Sequence, residues 1–332
     1  MGPLRGRDGE RAELSRLVAS AAGGAGGVVV VVGAAGIGKS RLLAEAAQIA
    51  AGQEVQVAAG VADELDQVTP WAPLLRALSS TDPAVLGEDD LAPVRGLLDQ
   101  RLAVIECIRA ALERASRRRP LLITLDDLQW ADPATLLALG SLPVQLFSYP
   151  IAWVLALRPV PSSRHLQGLK TRLDEAGLSR LRLAPLGADA AGALAADVLG
   201  RRPDAAVTDL VKRAEGNPFY IVELLRAAGD TSAPRTDGGA TGRSPRVPAS
   251  LSSAIESQLR SLRKAARNLL KVASVLGREF TVTELAAITG RPTSQLLPGV
   301  DWPRTRSPNC SPATSTGPTP CAPTPQEGRT WR

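Results

Sequence analysis

The run Val28-Val29-Val30-Val31-Val32, followed by Gly33-Ala34-Ala35-Gly36-Ile37-Gly38-Lys39-Ser40, decides how this chain is read. A run of five consecutive β-branched residues with no polar alternation predicts a strand covered on both faces. The octapeptide fits the pattern GxxxxGK[ST]. Its glycines let successive backbone N–H groups converge on a phosphate with no Cβ in the way. An amphipathic helix is predicted over 39–51, and its N-terminus adds partial positive charge and unpaired donors. Strand, loop and helix together predict a phosphate-binding loop. Its candidate nucleotide-binding residues are Gly33, Gly36, Ile37, Gly38, Lys39, Ser40 and Arg41. Lys39 is expected to reach the β- and γ-phosphates of ATP, and Ser40 to ligate Mg²⁺. Just upstream, Gly23, Gly24, Gly26 and Gly27 read as a flexible approach to the strand.

Four more short apolar runs fit strands: Val55–Ala59, Leu121–Leu125, Ala152–Leu157 and, more weakly, Leu181–Leu183. Helical segments at about 39–51, 71–79, 96–117 and 133–147 separate them, with Asp132-Pro133 as N-cap and first residue of the last. Strand–helix alternation predicts an α/β fold with a parallel sheet flanked by helices. The run 121–125 ends in Asp126-Asp127. A phosphate-binding loop of this kind needs an acid at the end of a neighbouring strand to hold Mg²⁺ through water, and Asp126 is placed for that. Asp127 is the candidate catalytic group that orients or deprotonates the attacking water, although Asp also commonly caps a turn. Aspartate reaches less far than glutamate, so slow hydrolysis is expected.

Composition sets the outer limits. The 332 residues suffice for roughly two domains. Apolar residues make up 44% and aromatics 3%, predicting a core of Ala, Leu and Val. The net charge of +6 is dispersed and mostly arginine, so by itself it does not argue for nucleic acid. Three cysteines cannot build a disulfide framework and fit a reducing, cytoplasmic setting. The longest apolar runs fall far short of the ~20 residues that span a bilayer, and the N-terminus has no apolar signal region. No Cys/His cluster suggests zinc. The one histidine, His165, sits in Pro161–His165, which reads as a loop.

A family resemblance emerges at Leu125-Asp126-Asp127-Leu128-Gln129-Trp130-Ala131-Asp132-Pro133. The string resembles the DDLxWAD signature of the AAA-like ATPase module in large ATP-binding regulators of the LuxR family, within the STAND class of signal-transduction ATPases. Leu4-Arg5-Gly6-Arg7-Asp8 resembles the family's hhGRE motif, which implies Arg7 near the adenine. Thr69-Pro70-Trp71-Ala72-Pro73-Leu74 resembles the segment after the second strand. Leu155-Ala156-Leu157-Arg158-Pro159 resembles the sensor strand, implying that Arg158 senses the γ-phosphate. Gly216-Asn217-Pro218-Phe219-Tyr220 resembles the GxP lid motif, implying that Pro218 packs on adenine. Plainer readings remain open: solvated charge for Arg5 and Arg7, a surface ion pair for Arg158, a bare helix start for Pro218, core packing for Trp130.

The resemblance covers residues 4–297 and divides the chain into an ATPase core over 1–184, a helical lid over 185–228, a Gly/Pro/Ser/Thr-rich linker over 229–248 and a winged-helix-like arm over 249–297. The arm's apolar repeat runs through Leu251, Ile255, Leu259, Leu262, Leu269, Leu270, Val272, Val275 and Leu276. Read as a helix-turn-helix, its helix opening at Ser294-Gln295 has too few residues before Pro298 to fill a groove, so DNA binding by this chain alone is not expected. The tail 298–332 has no apolar periodicity and is expected to be disordered, as a truncated or frameshifted product would be. The resemblance implies an ATP/ADP switch with an unidentified effector ligand and leaves self-association open. Rival readings are a sensor module linked to a cyclase or protein kinase, and a small-molecule kinase.

Overall fold

The computed structural model describes residues 2–98, 100–159, 163–231, 252, 264–274, 280–292 and 330–331. The chain divides into two compact units, Met1–Pro248 and Ala249–Arg332.

The first unit is built on five parallel strands: β1 (Gly27–Val32), β2 (Gln56–Val61), β3 (Leu121–Asp126), β4 (Ile151–Leu157) and β5 (Ser179–Arg182). Their order is β2-β3-β4-β1-β5. All five expected strands are present. The acidic strand β3, however, is not a direct neighbour of β1: β4 pairs with both. The chain leaves β1 through α2 (Lys39–Ala51), skips two places, and later fills them with β4 and β3. That skip brings the C-terminal ends of β1, β3 and β4 together, where ligands bind in open α/β sheets.

Side chains alternate across the sheet with the strand period of two. On one face Val28, Val30, Leu121, Ile123, Leu125, Ile151, Trp153 and Leu155 join the core under α3 (Ala72–Ser79), α5 (Arg101–Arg118), α6 (Pro133–Leu139) and α8 (Arg164–Glu175). On the other, Val29, Val31, Ala152, Val154 and Ala156 meet α1 (Asp8–Ala22) and α2. The edge strand β5 stays partly exposed, which is why its apolar signal is weak. The core is chiefly Leu, Val and Ala, with two fully buried tryptophans, Trp71 and Trp153.

Trp153 lies in register between Val28 and Ile123. Its indole N–H has no hydrogen-bond partner among the described residues. Trp153→Ala is therefore expected to cost about 3–5 kcal/mol in denaturant unfolding. Trp153→Phe should cost much less, because it also removes an unpaired buried donor.

Local sequence explains several departures from expectation. The stretch expected as one helix over 133–147 breaks at Gly140-Ser141 into α6 and α7 (Leu142–Gln145). The one expected over 96–117 starts at Arg101, behind a separate α4 (Glu88–Gly96). His165 is not in a loop but in the first turn of α8, where the Ser163 hydroxyl accepts the Leu166 N–H. The glycines before β1 are not a loose approach. They close α1 with a paired cap, Ala25 N–H to Ser20 O and Gly24 N–H to Ala21 O, and Gly26 N–H bonds Phe147 O. Asp132 caps α6 as expected, accepting the N–H groups of Ala134 and Thr135.

After β5, α9 (Ala188–Leu199), α10 (Ala205–Arg213) and α11 (Pro218–Thr231) pack on a small core of their own around Ala195, Ile221 and Leu225. α11 runs three residues into the stretch expected as linker; the rest of that linker lies outside the described residues. In the second unit, helices Lys264–Ala273 and Val282–Thr289 are described, and Phe280–Thr281 pairs antiparallel with Thr330–Trp331. Leu269, Leu270 and Val272 fall on the first of these helices. Leu251, Ile255, Leu259, Leu262, Val275, Leu276 and Ser294-Gln295 lie outside the described residues, as does the tail apart from Thr330–Trp331. Among the described residues, no helix is long and apolar enough to cross a membrane.

Candidate nucleotide-binding site

The loop 33–38 leaves β1 and turns directly into α2, whose first residue is Lys39. Gly33 N–H bonds Leu157 O, tying the loop's start to β4. Gly36 and Gly38 take positive φ of 73° and 101°, which other residues reach only with strain. Lys39 is 5% exposed, and its Nζ donates to the carbonyls of Gly33 and Ala34, both at 3.0 Å. Burial pushes its ammonium below the ordinary lysine range, aided by Arg158 and opposed by Asp127 and Asp126. A buried cation resting on two carbonyls at a loop of this shape suits an anion that would complete its coordination.

Asp126, the last residue of β3, is also 5% exposed. It accepts the Asp127 N–H at 2.7 Å, and the Ser40 hydroxyl lies close enough to bear on its titration. Burial raises its pKa above the usual carboxylate range, and the Asp127 charge adds to that. The nearby Ser40 hydroxyl, the Asp127 N–H and the Lys39 charge pull the other way. Ser40 and Asp126, both expected at a metal, are thus brought together across three strands. Among the described residues, no group of three or more His, Cys, Asp or Glu side chains could hold a metal ion. A hydroxyl beside one buried carboxylate fits Mg²⁺ instead, which keeps waters and shares phosphate oxygens.

Asp127 turns the chain sharply, at φ 51° and ψ 38°. Its backbone carbonyl accepts the Trp130 N–H, but its carboxylate makes no capping bond. Oδ1 instead accepts Gln129 Nε2 at 2.8 Å and lies 3.5 Å from Arg158 Nε. The carboxylate facing Arg158 is therefore inside the cleft and not on the outer surface. Trp130 is half-buried against the α3–α8 face of the core.

The opposite wall comes from the N-terminal segment and the three helices. Arg7 lines the cleft, but its guanidinium is already engaged: Nη2 donates to Ile37 O at 3.3 Å and Ala184 O at 2.6 Å, and Nη1 to Glu10 Oε1 at 3.2 Å. It is 6% exposed, so it is neither solvated charge nor a free donor for a base; it fastens the loop to the chain leaving β5. Arg41 donates to Gly2 O at 2.8 Å and pairs with Glu45. Arg5 makes a two-pronged pair with Asp197 of α9, at 2.8 and 2.9 Å. Pro218 is the first residue of α11. The residue before it, Asn217, donates Nδ2 to Ala35 O at 3.0 Å and accepts the Phe219 N–H at 3.1 Å. Phe219 N–H also points at Gly36 O, 3.2 Å away. The start of α11 thus rests on the outward carbonyls of the phosphate-binding loop. All these groups line or border one cleft of about 740 Å³, with Leu4, Leu186, Leu194, Val198 and Val222 forming its apolar side.

Every sequence-predicted site residue lies at this cleft or in the shell bonded to it. Two partners escaped sequence reasoning, Asn217 and Gln129. Asn before Pro at a helix start is a capping signal that could have flagged Asn217. Nothing local flags Gln129, whose partners depend on β4.

The five-stranded parallel sheet flanked by helices is similar in fold to P-loop ATPases. The AAA ATPase domain family matches residues 3–154. An uncharacterized protein of Rhizobium meliloti (strain 1021) is 27% identical over 86% of this chain, and the chain spans 31% of that relative's length. Among solved structures, the Aeropyrum pernix ORC2 protein in ADPNP–ADP complexes aligns at TM-score 0.55 and 16% identity, covering 90% of this chain and 85% of that one. Its ADP form aligns at 0.52 and 17%, with 90% and 85% covered. At these identities the likeness is one of fold.

Proposed function

We propose that this chain is the ATP-binding, slowly hydrolysing switch of a larger signal-transduction ATPase of the STAND class, and within that class the regulatory module of a LuxR-family transcriptional regulator. One observation carries the nucleotide reading: the buried Lys39 shares one cleft with Ser40, Asp127 and Arg158, and the buried Asp126 lies against them. The narrower reading rests on the strings 125–133 and 216–220. Gly33, Gly36, Ile37, Gly38, Lys39, Ser40 and Arg41 hold the phosphates. Ser40 and Asp126 hold Mg²⁺, which when bound neutralises charge on the phosphate oxygens. Arg158 senses the γ-phosphate. Pro218 and the apolar wall flank the adenine, and Arg7 braces that wall. Water adds to the γ-phosphorus as the bond to the bridging oxygen breaks, releasing ADP, orthophosphate and a proton that Asp127 accepts. ATP and ADP differ at the γ-phosphate, so helices α9–α11, resting on the loop, move as a lid with nucleotide state. An unidentified effector biases that equilibrium.

The test is phosphate release from Mg·ATP without any acceptor. A switch ATPase releases orthophosphate; a small-molecule kinase forms ADP only when its acceptor is added and passes the phosphoryl group to that acceptor, and that outcome overturns the proposal. Asp126→Asn is expected to abolish the Mg²⁺ dependence of ATP affinity.

A further inference from the structure

We infer that Gln129 is a positioning residue that couples the acid Asp127 to the sensor Arg158; the inference rests on the ATPase reading above. Its side-chain amide spans the ends of two strands. Nε2 donates to Asp127 Oδ1 at 2.8 Å, and Oε1 accepts the Arg158 N–H at 3.2 Å. Arg158 is the first residue beyond β4, so Gln129 supplies the acceptor that a continued strand ladder would otherwise provide. An amide suits this place because it donates at one atom and accepts at the other; a carboxylate or an amine does only one.

The consequence is mechanical. Asp127 has a short side chain on a left-handed residue, and Gln129 with Arg158 hold one of its oxygens, which leaves Oδ2 for water. The Arg158 Nε is buried, has no hydrogen bond among the described residues, and lies 3.5 Å from Asp127 Oδ1. Arg158 is therefore free to exchange this weak pairing for a phosphate oxygen. When its backbone shifts to do so, the bond from its N–H to Gln129 lengthens and the amide's hold on Asp127 changes with it. Sensor and acid cannot move independently while Gln129 joins them. Gln129 itself does not line the nucleotide cleft, so it acts through these two residues and not on the ligand.

Gln129→Ala should lower kcat for phosphate release ~10- to 100-fold, part of what general-base catalysis contributes, with KM and ATP affinity within about threefold of wild type. Gln129→Glu keeps the acceptor for Arg158 N–H but loses the donor to Asp127, and should lower kcat equally. Unchanged or increased kcat in Gln129→Ala overturns the inference. Amide exchange at Arg158 reads the bridge directly. In wild type the amide is protected with ADP and loses protection with Mg·ADPNP; in Gln129→Ala it is unprotected throughout. Equal protection with both nucleotides, or in both proteins, overturns the coupling. This second measurement needs no turnover, so if wild type proves inactive the hydrolysis reading fails while the bridge is still decided.

Discussion

Lys39→Ala is expected to leave the fold intact and remove ATP binding. Calorimetry should show affinity at least ~100-fold weaker, about 3 kcal/mol, because a desolvated cation facing phosphates acts at low effective dielectric. Stability should hold or rise slightly. Burial already disfavours this ammonium, and the carbonyls of Gly33 and Ala34 that it caps border an open cleft where water can replace it. A variant that binds ATP like wild type sinks the site assignment. A variant that merely unfolds is recognised by its lowered melting temperature.

Gly36→Val is expected to disable the loop and its contact with α11 together. The backbone at φ 73° is strained for any β-branched residue, and an added Cβ would sit 2.7 Å from Phe219 Cβ and 2.9 Å from Asn217 Oδ1. Strain and overpacking together are worth roughly 2–5 kcal/mol. Thermal unfolding and ATP affinity should both fall. Gly38→Ala separates the two causes: φ is 101° there, but nothing lies within 4 Å of the added Cβ. It should cost about 1–2 kcal/mol from strain alone and leave the seat of α11 undisturbed. If Gly38→Ala matches Gly36→Val in both measurements, the contact between loop and helix has no energetic part in the effect.

Much of this architecture is legible in local sequence. Continuous apolar runs identify the central strands β1, β3 and β4 because both of their faces are covered, while the edge strand β5 gives a weaker signal. Asp132-Pro133 marks a helix start by capping chemistry that acts within three residues. The phosphate-binding loop is legible for the same reason, since its geometry is set by its own glycines and the helix behind it. The misread parts are those where neighbours in space overrule neighbours in sequence. His165 looks like loop because Pro161-Ser162-Ser163 precedes it, yet Ser163 caps a helix there. Gly23–Gly27 look slack, yet they finish a helix cap and seat against the 147–151 chain.

Sequence by itself therefore determined the class of fold and named the candidate groups at the site: a lysine, a hydroxyl and two carboxylates. Only the tertiary structure decided which of them lie together. Strand order put β4 between β1 and β3, so Arg158 meets Asp127 through Gln129, and Ser40 meets Asp126. It also turned Arg7 from a candidate base contact into a brace on Ile37 and Ala184. The physical reason is range. Capping, turn geometry and periodicity are encoded within a few residues. Hydrogen bonds between residues separated by 29, 177 or 182 positions exist only once the sheet has chosen its order.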